Sequence, residues 1–112
     1  MKMLLVAFGS MLLAACASAS WPTVVDPASI VDTPDHFLVL DVTTGATSEL
    51  SGPACSNPLV DPRNGTRLTL VRSSAGHGDY QPDKFNYGLS TGQLLRVDCN
   101  TGRALGATSG AP

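Results

Sequence analysis

The stretch Leu95–Thr108, LRVDCNTGRALGAT, carries the pattern that decides the fold. Apolar and polar residues alternate in the run Gln93–Cys99, which places Leu95, Val97 and Cys99 on one face of a strand. The sequence Asp-Cys-Asn-Thr-Gly then combines polar side chains with a glycine, as hairpin turns do. A second apolar stretch follows. The segment therefore predicts a β-hairpin with a cysteine on its buried face.

A second segment, Leu38–Leu50, repeats this order as LVLDVTTGATSEL. Further strands are predicted over His36–Val42, Thr66–Arg72 and Lys84–Ser90, the last because Phe85, Tyr87 and Leu89 alternate with other residues. No window has a helical period, and eight prolines argue against long helices. We expect an all-β fold, a small antiparallel β-sandwich or half-open barrel of five to seven short strands.

The composition limits the classes of partner. The chain has seven basic and nine acidic residues, for a net charge of −2. Nucleic-acid and anionic-lipid surfaces need clustered lysine and arginine, which this sequence lacks, so neither is expected as a partner. Charged residues make up only 14% of the chain, against about 25% in typical soluble domains. This low fraction favours a surface that is partly covered by a partner.

The N-terminus has the features of an export signal. Lys2 precedes an apolar run from Met3 to Leu13, as in signal peptides. The run is shorter than the roughly 20 residues of a spanning helix. It ends in LAAC, residues 13–16, which resembles the lipobox of bacterial lipoproteins at each position. An ordinary secretory signal cut near Ala17–Ala19 is the alternative.

The lipobox resemblance implies a location and an anchor. It implies cleavage before Cys16 and attachment of fatty acyl chains to the cysteine thiol and the new amino terminus. Several acyl chains hold a protein durably on a membrane. Ala17, rather than aspartate, follows the cysteine, which resembles the signal for the outer membrane. The resemblance thus implies an envelope protein on the outer membrane, facing the periplasm.

The other two cysteines are expected to pair. Export would place Cys55 and Cys99 in an oxidising compartment, and lipidation of Cys16 leaves an even number of thiols. A metal pair or a redox pair is the alternative, but neither a C-x-x-C spacing nor a neighbouring histidine is present. We predict a structural disulfide.

Composition divides the chain into four parts. Residues 1–15 form the signal peptide, and 16–34 are rich in Ala, Ser, Pro and Asp, as in a flexible tether. Residues 35–107 form the β domain, and 108–112 a short disordered tail.

One polar cluster, Ser73–Tyr80 or SSAGHGDY, has the residue types of a catalytic site. It supplies serines, His77 and Asp79, which could serve as nucleophile, base and orienting group. Glycine and serine are equally typical of a hairpin loop, and no G-x-S-x-G motif is present. A metal site made by His77 and Asp79, with Asp35 and His36, lacks a recognised ligand spacing. We expect neither catalysis nor a metal or cofactor.

Aromatic residues mark a possible binding surface. Tyr80, Phe85 and Tyr87 fall within one short span that also contains Pro82. They either fill a thin core or present a face to another envelope protein, since tyrosine is common at interfaces. The sequence favours a non-enzymatic accessory or structural lipoprotein that contacts a membrane-proximal envelope protein at this span. The alternative is a periplasmic ligand-binding or enzymatic domain that uses His77 and Asp79.

Overall fold

A computed structural model describes residues 26–52 and 55–109. The predicted signal peptide, Cys16 and the first part of the tether lie outside the described residues, as do residues 110–112. The described chain contains one 3-10 turn, Pro27–Ser29, and seven strands. The strands are β1 Leu38–Leu40, β2 Thr47–Glu49, β3 Leu59–Val60, β4 Arg67–Ser74, β5 His77–Pro82, β6 Gln93–Asp98 and β7 Ala104–Ser109.

The strands form a single sheet in the order β2-β1-β3-β4-β5-β6-β7, and all neighbours are antiparallel. The prediction of an antiparallel all-β fold with five to seven strands is confirmed. Two separate layers, as in a sandwich, are not found in the described chain. The connection from β2 to β3 crosses β1, because these two strands flank β1 on opposite sides.

The sheet curls without closing into a barrel. At the start of β1, the Phe37 N–H donates to the Gly102 carbonyl at 2.7 Å, and in the crossing connection the Gly52 N–H donates to the Cys99 carbonyl at 2.8 Å. The predicted disulfide joins the same two regions, Cys55 in the connection and Cys99 after β6. These links bring the first and last hairpins together over a common core. Its buried residues include Phe37, Leu59, Leu68, Tyr80, Tyr87, Leu95 and Val97.

Three hairpins share one turn. Residues 41–45, 61–65 and 98–102 each begin with aspartate and end with glycine, and the glycine φ values are 77°, 77° and 75°. In each turn the aspartate carboxylate accepts from the N–H two residues ahead, at 2.9, 2.9 and 2.7 Å. The glycine N–H donates to the aspartate carbonyl. The left-handed glycine closes the hairpin without a Cβ clash.

The N-terminal strap, residues 26–36, runs along the sheet before β1. Asp26 forms a bridge with Ala107 at the β7 edge. The Val31 N–H donates to the Tyr87 carbonyl at 2.9 Å. The part of the predicted tether within the described chain therefore lies against the β domain.

Three local expectations are corrected. The predicted disordered tail does not begin at residue 108, because Thr108 and Ser109 pair with β6 as the end of β7 and Thr108 is buried. The predicted strand over Lys84–Ser90 is a loop, because Tyr87 adopts a left-handed φ of 53° and Gly88 one of 82°. Neither value fits an extended strand. The cluster Ser73–Tyr80, which resembles a loop in sequence, forms the hairpin of β4 and β5, with Ala75 and Gly76 between the strands.

Candidate docking cleft

His77 and Asp79 both lie on β5. The Asp79 carboxylate belongs to a cluster of ion pairs with two arginines. Asp79 is fully buried. Its Oδ1 accepts from Arg96 Nε at 2.7 Å, and its Oδ2 accepts from Arg96 Nη2 at 3.0 Å and from Arg72 Nε at 2.7 Å. The three residues are register partners on β4, β5 and β6. Asp79 therefore joins three strands through charge-assisted hydrogen bonds.

The charge state of this group follows from its surroundings. Burial alone would raise the pKa of Asp79, but hydrogen bonds and the positive charges of Arg96 and Arg72 outweigh it and leave the pKa lowered. Burial, followed by the nearby charge of Arg96, lowers the pKa of His77. Ser74 lies opposite His77 in the hairpin. The carboxylate that would orient a catalytic histidine thus has both oxygens occupied by arginine.

The predicted aromatic contact surface is corrected for two of its three residues. Tyr80 and Tyr87 have no exposed surface, whereas Phe85 is 37% exposed. Tyr80 lies between Leu70 on β4 and Leu95 on β6, and burial raises the pKa of its hydroxyl to about 12. Both tyrosines are therefore core residues, and of these three aromatic residues only Phe85 can present its ring to a partner.

The Phe85 ring packs edge-to-face against the buried Tyr87 ring. Their centroids are 4.9 Å apart and their planes meet at 83°, and Tyr87 makes a similar edge-to-face contact with Phe37 at 5.6 Å. Such geometry is favourable for aromatic pairs. The exposed ring thus stands at the end of a row of three aromatic rings whose other members are buried.

A buried carboxylate fixes Tyr87. The Tyr87 hydroxyl donates to Asp61 Oδ2 at 2.8 Å. Arg63 contacts both Asp61 oxygens, at 3.1 and 2.8 Å, and extends to Asp32 in the N-terminal strap. Burial opposes ionisation of Asp61, but the hydrogen bonds from Arg63 and Tyr87 leave its pKa lowered. Burial and the bond to Asp61 raise the pKa of Tyr87. The network joins the strap, a turn and the aromatic row.

A cleft opens beside Phe85 where two strands separate. Strands β5 and β6 pair only as far as Tyr80 and Leu95, and the loop 83–92 connects their separated ends. The opening has a volume of about 300 Å³, at the lower end of the range for ligand pockets. We call it the Phe85 cleft; its lining residues include Gln81, Pro82, Asp83, Phe85, Asn86 and Gln93.

Side-chain amides hold the loop in shape. The Gly88 N–H donates to Asn86 Oδ1 at 3.0 Å. The Ser90 N–H donates to Gln93 Oε1 at 2.8 Å, and the Gln93 backbone N–H donates to the Ser90 carbonyl. At the other end, the Arg67 N–H donates to Asp83 Oδ1 at 3.0 Å. These bonds orient the amide groups that line the cleft.

Sequence reasoning missed Asp61, Arg63, Asn86 and Gln93. A signal for Asp61 was present, because residues 61–65 repeat the aspartate-to-glycine spacing of the other two turns. This turn is hard to recognise as a third copy because its central positions hold proline, arginine and asparagine. Asn86 and Gln93 carry no signal in the sequence, since their roles depend on how the loop folds.

No family model matches the chain, and neither the curated proteins nor the solved structures include a detectable match. Over residues 26–52 and 55–109, no helix has the length and apolarity needed to cross a bilayer. Within the same residues, histidine, cysteine and acidic side chains form no group of three that could hold a metal ion.

Proposed function

We propose that this protein is a lipid-anchored envelope lipoprotein whose β domain docks onto a membrane-associated partner protein through the Phe85 cleft. Its role is accessory or structural rather than enzymatic. The observation that carries the docking proposal is the exposed Phe85 ring, held by buried Tyr87 beside an open cleft. Aromatic side chains held rigidly at a surface are frequent centres of binding energy.

The anchor rests on the likeness of residues 13–16 to a lipobox. Acyl chains on Cys16 would keep the domain on the outer membrane, on its periplasmic side, and so favour partners close to the bilayer. The accessory role is supported by the use of Asp79 in binding Arg96 and Arg72, which occupies the carboxylate that the enzymatic alternative needs.

Site-specific photo-cross-linking in the native envelope tests the docking proposal. Photoreactive residues at Phe85 and Lys84 should capture the same membrane-associated protein, identified by mass spectrometry. Matched probes at Glu49 and Arg103, which lie outside the cleft, should capture little of it. Equal yields at the four positions, or no capture at the two cleft positions, would contradict docking at this surface.

A further inference from the structure

A second cavity lies between strands β1 to β3 and the connection that crosses β1. Its volume is about 240 Å³, and it shares no lining residue with the Phe85 cleft. At about 30 Å³ for each water molecule in the liquid, this is the space of about eight waters. The cavity therefore suits one ring-sized ligand rather than a chain. We call it the crossover cavity; its lining residues include Val39, Ser48, Glu49, Ser56, Leu59 and Tyr80.

The Tyr80 hydroxyl lies at the buried end of the crossover cavity without a partner. Tyr80 is fully buried, and its hydroxyl makes no hydrogen bond within the described chain. A Cβ on Gly78 would lie 3.0 Å from both Tyr80 Cε1 and Cys55 Cβ, so the hydroxyl end of the ring lies beside the disulfide that lines the cavity. Buried hydroxyl groups in proteins are nearly always hydrogen-bonded. The Tyr80 hydroxyl is therefore available to a ligand atom at this end of the cavity.

The mouth of the crossover cavity carries uncharged polar side chains. Four of them are exposed and make no hydrogen bond to another described residue: Ser48, Ser51, Ser56 and Asn57. Hydroxyl and carboxamide groups both donate and accept hydrogen bonds. A ligand whose own groups also donate and accept, as hydroxyl groups do, can pair with all of them.

The charge of the cavity disfavours anions and gives little to cations. Among the described residues, no lysine, arginine or histidine lines it, and Glu49 is its one acidic residue. The Glu49 side chain is 82% exposed and its carboxylate lies 3.9 Å from His36 Nε2, so it is hydrated and already faces a basic group. Deeper in the cavity the walls are Val39, Leu59 and the disulfide. A charge placed there would lose its hydration without gaining a buried counter-ion.

We propose that the crossover cavity binds a small uncharged ligand rich in hydroxyl groups, of the size of one sugar ring. One ligand hydroxyl bonds to the Tyr80 hydroxyl, and the C–H surface of the ring packs on the apolar walls. The remaining hydroxyl groups pair with the serines and Asn57 at the mouth. Binding here does not require docking at the Phe85 cleft, because the two sites share no lining residue.

Two substitutions remove single hydrogen-bonding groups from the cavity. Tyr80→Phe deletes only the buried hydroxyl, which has no partner in the described chain, so Tm of the ligand-free protein should stay the same or rise. Ser56→Ala deletes a hydroxyl at the mouth. Its matched control is Ser73→Ala, because Ser73 is also exposed and lies outside the cavity.

Ligand-observed saturation-transfer NMR tests binding to the full lipidated chain, in a detergent whose head group is not a sugar. The probes are D-glucose, D-galactose and D-mannose, each compared with its 2-amino-2-deoxy and uronate derivatives. We expect saturable binding of at least one neutral hexose, and binding of its charged derivatives that is about tenfold weaker or more. Tyr80→Phe should weaken hexose binding about fivefold and Ser56→Ala about twofold to fivefold, the effect of losing one hydrogen bond. Ser73→Ala should leave it unchanged.

Four results would overturn the proposal. The first is that none of the three hexoses binds, and the second is that a charged derivative binds as tightly as its neutral parent. The third is unchanged hexose binding in both Tyr80→Phe and Ser56→Ala with native circular dichroism. The fourth is a lower Tm of ligand-free Tyr80→Phe, which would show that the hydroxyl stabilises the fold and is not kept for a ligand.

Cross-linking at Phe85 decides the docking proposal separately. Capture of a partner there without hexose binding leaves docking in place and overturns the crossover site. Hexose binding without capture at Phe85 supports the crossover site and contradicts docking.

Discussion

Replacing both half-cystines with alanine, Cys55→Ala with Cys99→Ala, should destabilise the domain severely. The bridge joins residues separated by 44 positions. In the chain-entropy account, closing a loop of that length in the unfolded chain contributes about 4 kcal/mol to the free energy of unfolding. Domains of this size have about 5–15 kcal/mol in total. The bridge therefore supplies a large share of the stability.

The position of the bridge increases its importance. Both cysteines are buried in the core, and the bridge ties the connection before β3 to the turn after β6. Without it, the Gly52 N–H bond to the Cys99 carbonyl would still link these two regions, but a single backbone hydrogen bond contributes only about 1 kcal/mol. We expect the curled sheet to open more readily at this seam.

Thermal unfolding followed by circular dichroism measures the effect. For a domain of this size each kcal/mol shifts Tm by about 4–8 °C, so the double variant should melt roughly 15–30 °C lower. The wild-type chain under reducing conditions should show the same loss, which controls for the effect of the alanine side chains. A loss of less than about 5 °C in both samples would refute the entropic reasoning.

Two other predictions concern the anchor and the buried ion cluster. Cys16→Ser should leave an uncleaved or mislocalised precursor and abolish labelling by a fatty-acid probe; normal labelling of this variant would contradict the lipobox interpretation. Because the pKa of Asp79 is lower in the folded state, its stabilising effect is full above about pH 5 and declines as the pH falls through its folded pKa. Urea unfolding at a series of pH values should therefore show Asp79→Asn less stable by about 3–5 kcal/mol at neutral pH, with a flatter decline in acid. If the stability of Asp79→Asn declines in acid as steeply as that of the wild-type protein, Asp79 is not the group whose titration causes the decline.

Strand β6 and the turns 41–45 and 98–102 could be predicted from the sequence because their causes are local. Apolar and polar residues alternate from Gln93 to Cys99, and the strand runs over Gln93–Asp98. The turn aspartates accept from N–H groups only two residues away. The disulfide followed from the number of cysteines and the export signal, and the structure confirms its pairing.

The strand predicted over Lys84–Ser90 was wrong because the alternation of its residues looks like that of β6. Tyr87 takes a left-handed conformation because its hydroxyl bonds to Asp61, 26 residues earlier, and its carbonyl bonds to Val31 of the strap. These partners are distant in the chain, so no local pattern reports them. Their combined contacts outweigh the preference of a bulky residue for extended backbone.

The sequence by itself determined that the chain forms short antiparallel strands, where several of them lie, and which cysteines pair. Side-chain alternation, turn chemistry and thiol parity are properties of neighbouring residues or of simple counts. Only the tertiary structure decided that the strands form one curled sheet, that Tyr80 and Tyr87 are core, and that Phe85 remains exposed. Those outcomes depend on contacts between residues that are distant in the chain, such as the hydrogen bond from the buried Tyr87 hydroxyl to the buried Asp61 carboxylate. They also depend on how the loop between β5 and β6 folds. Packing over the whole domain determines these contacts.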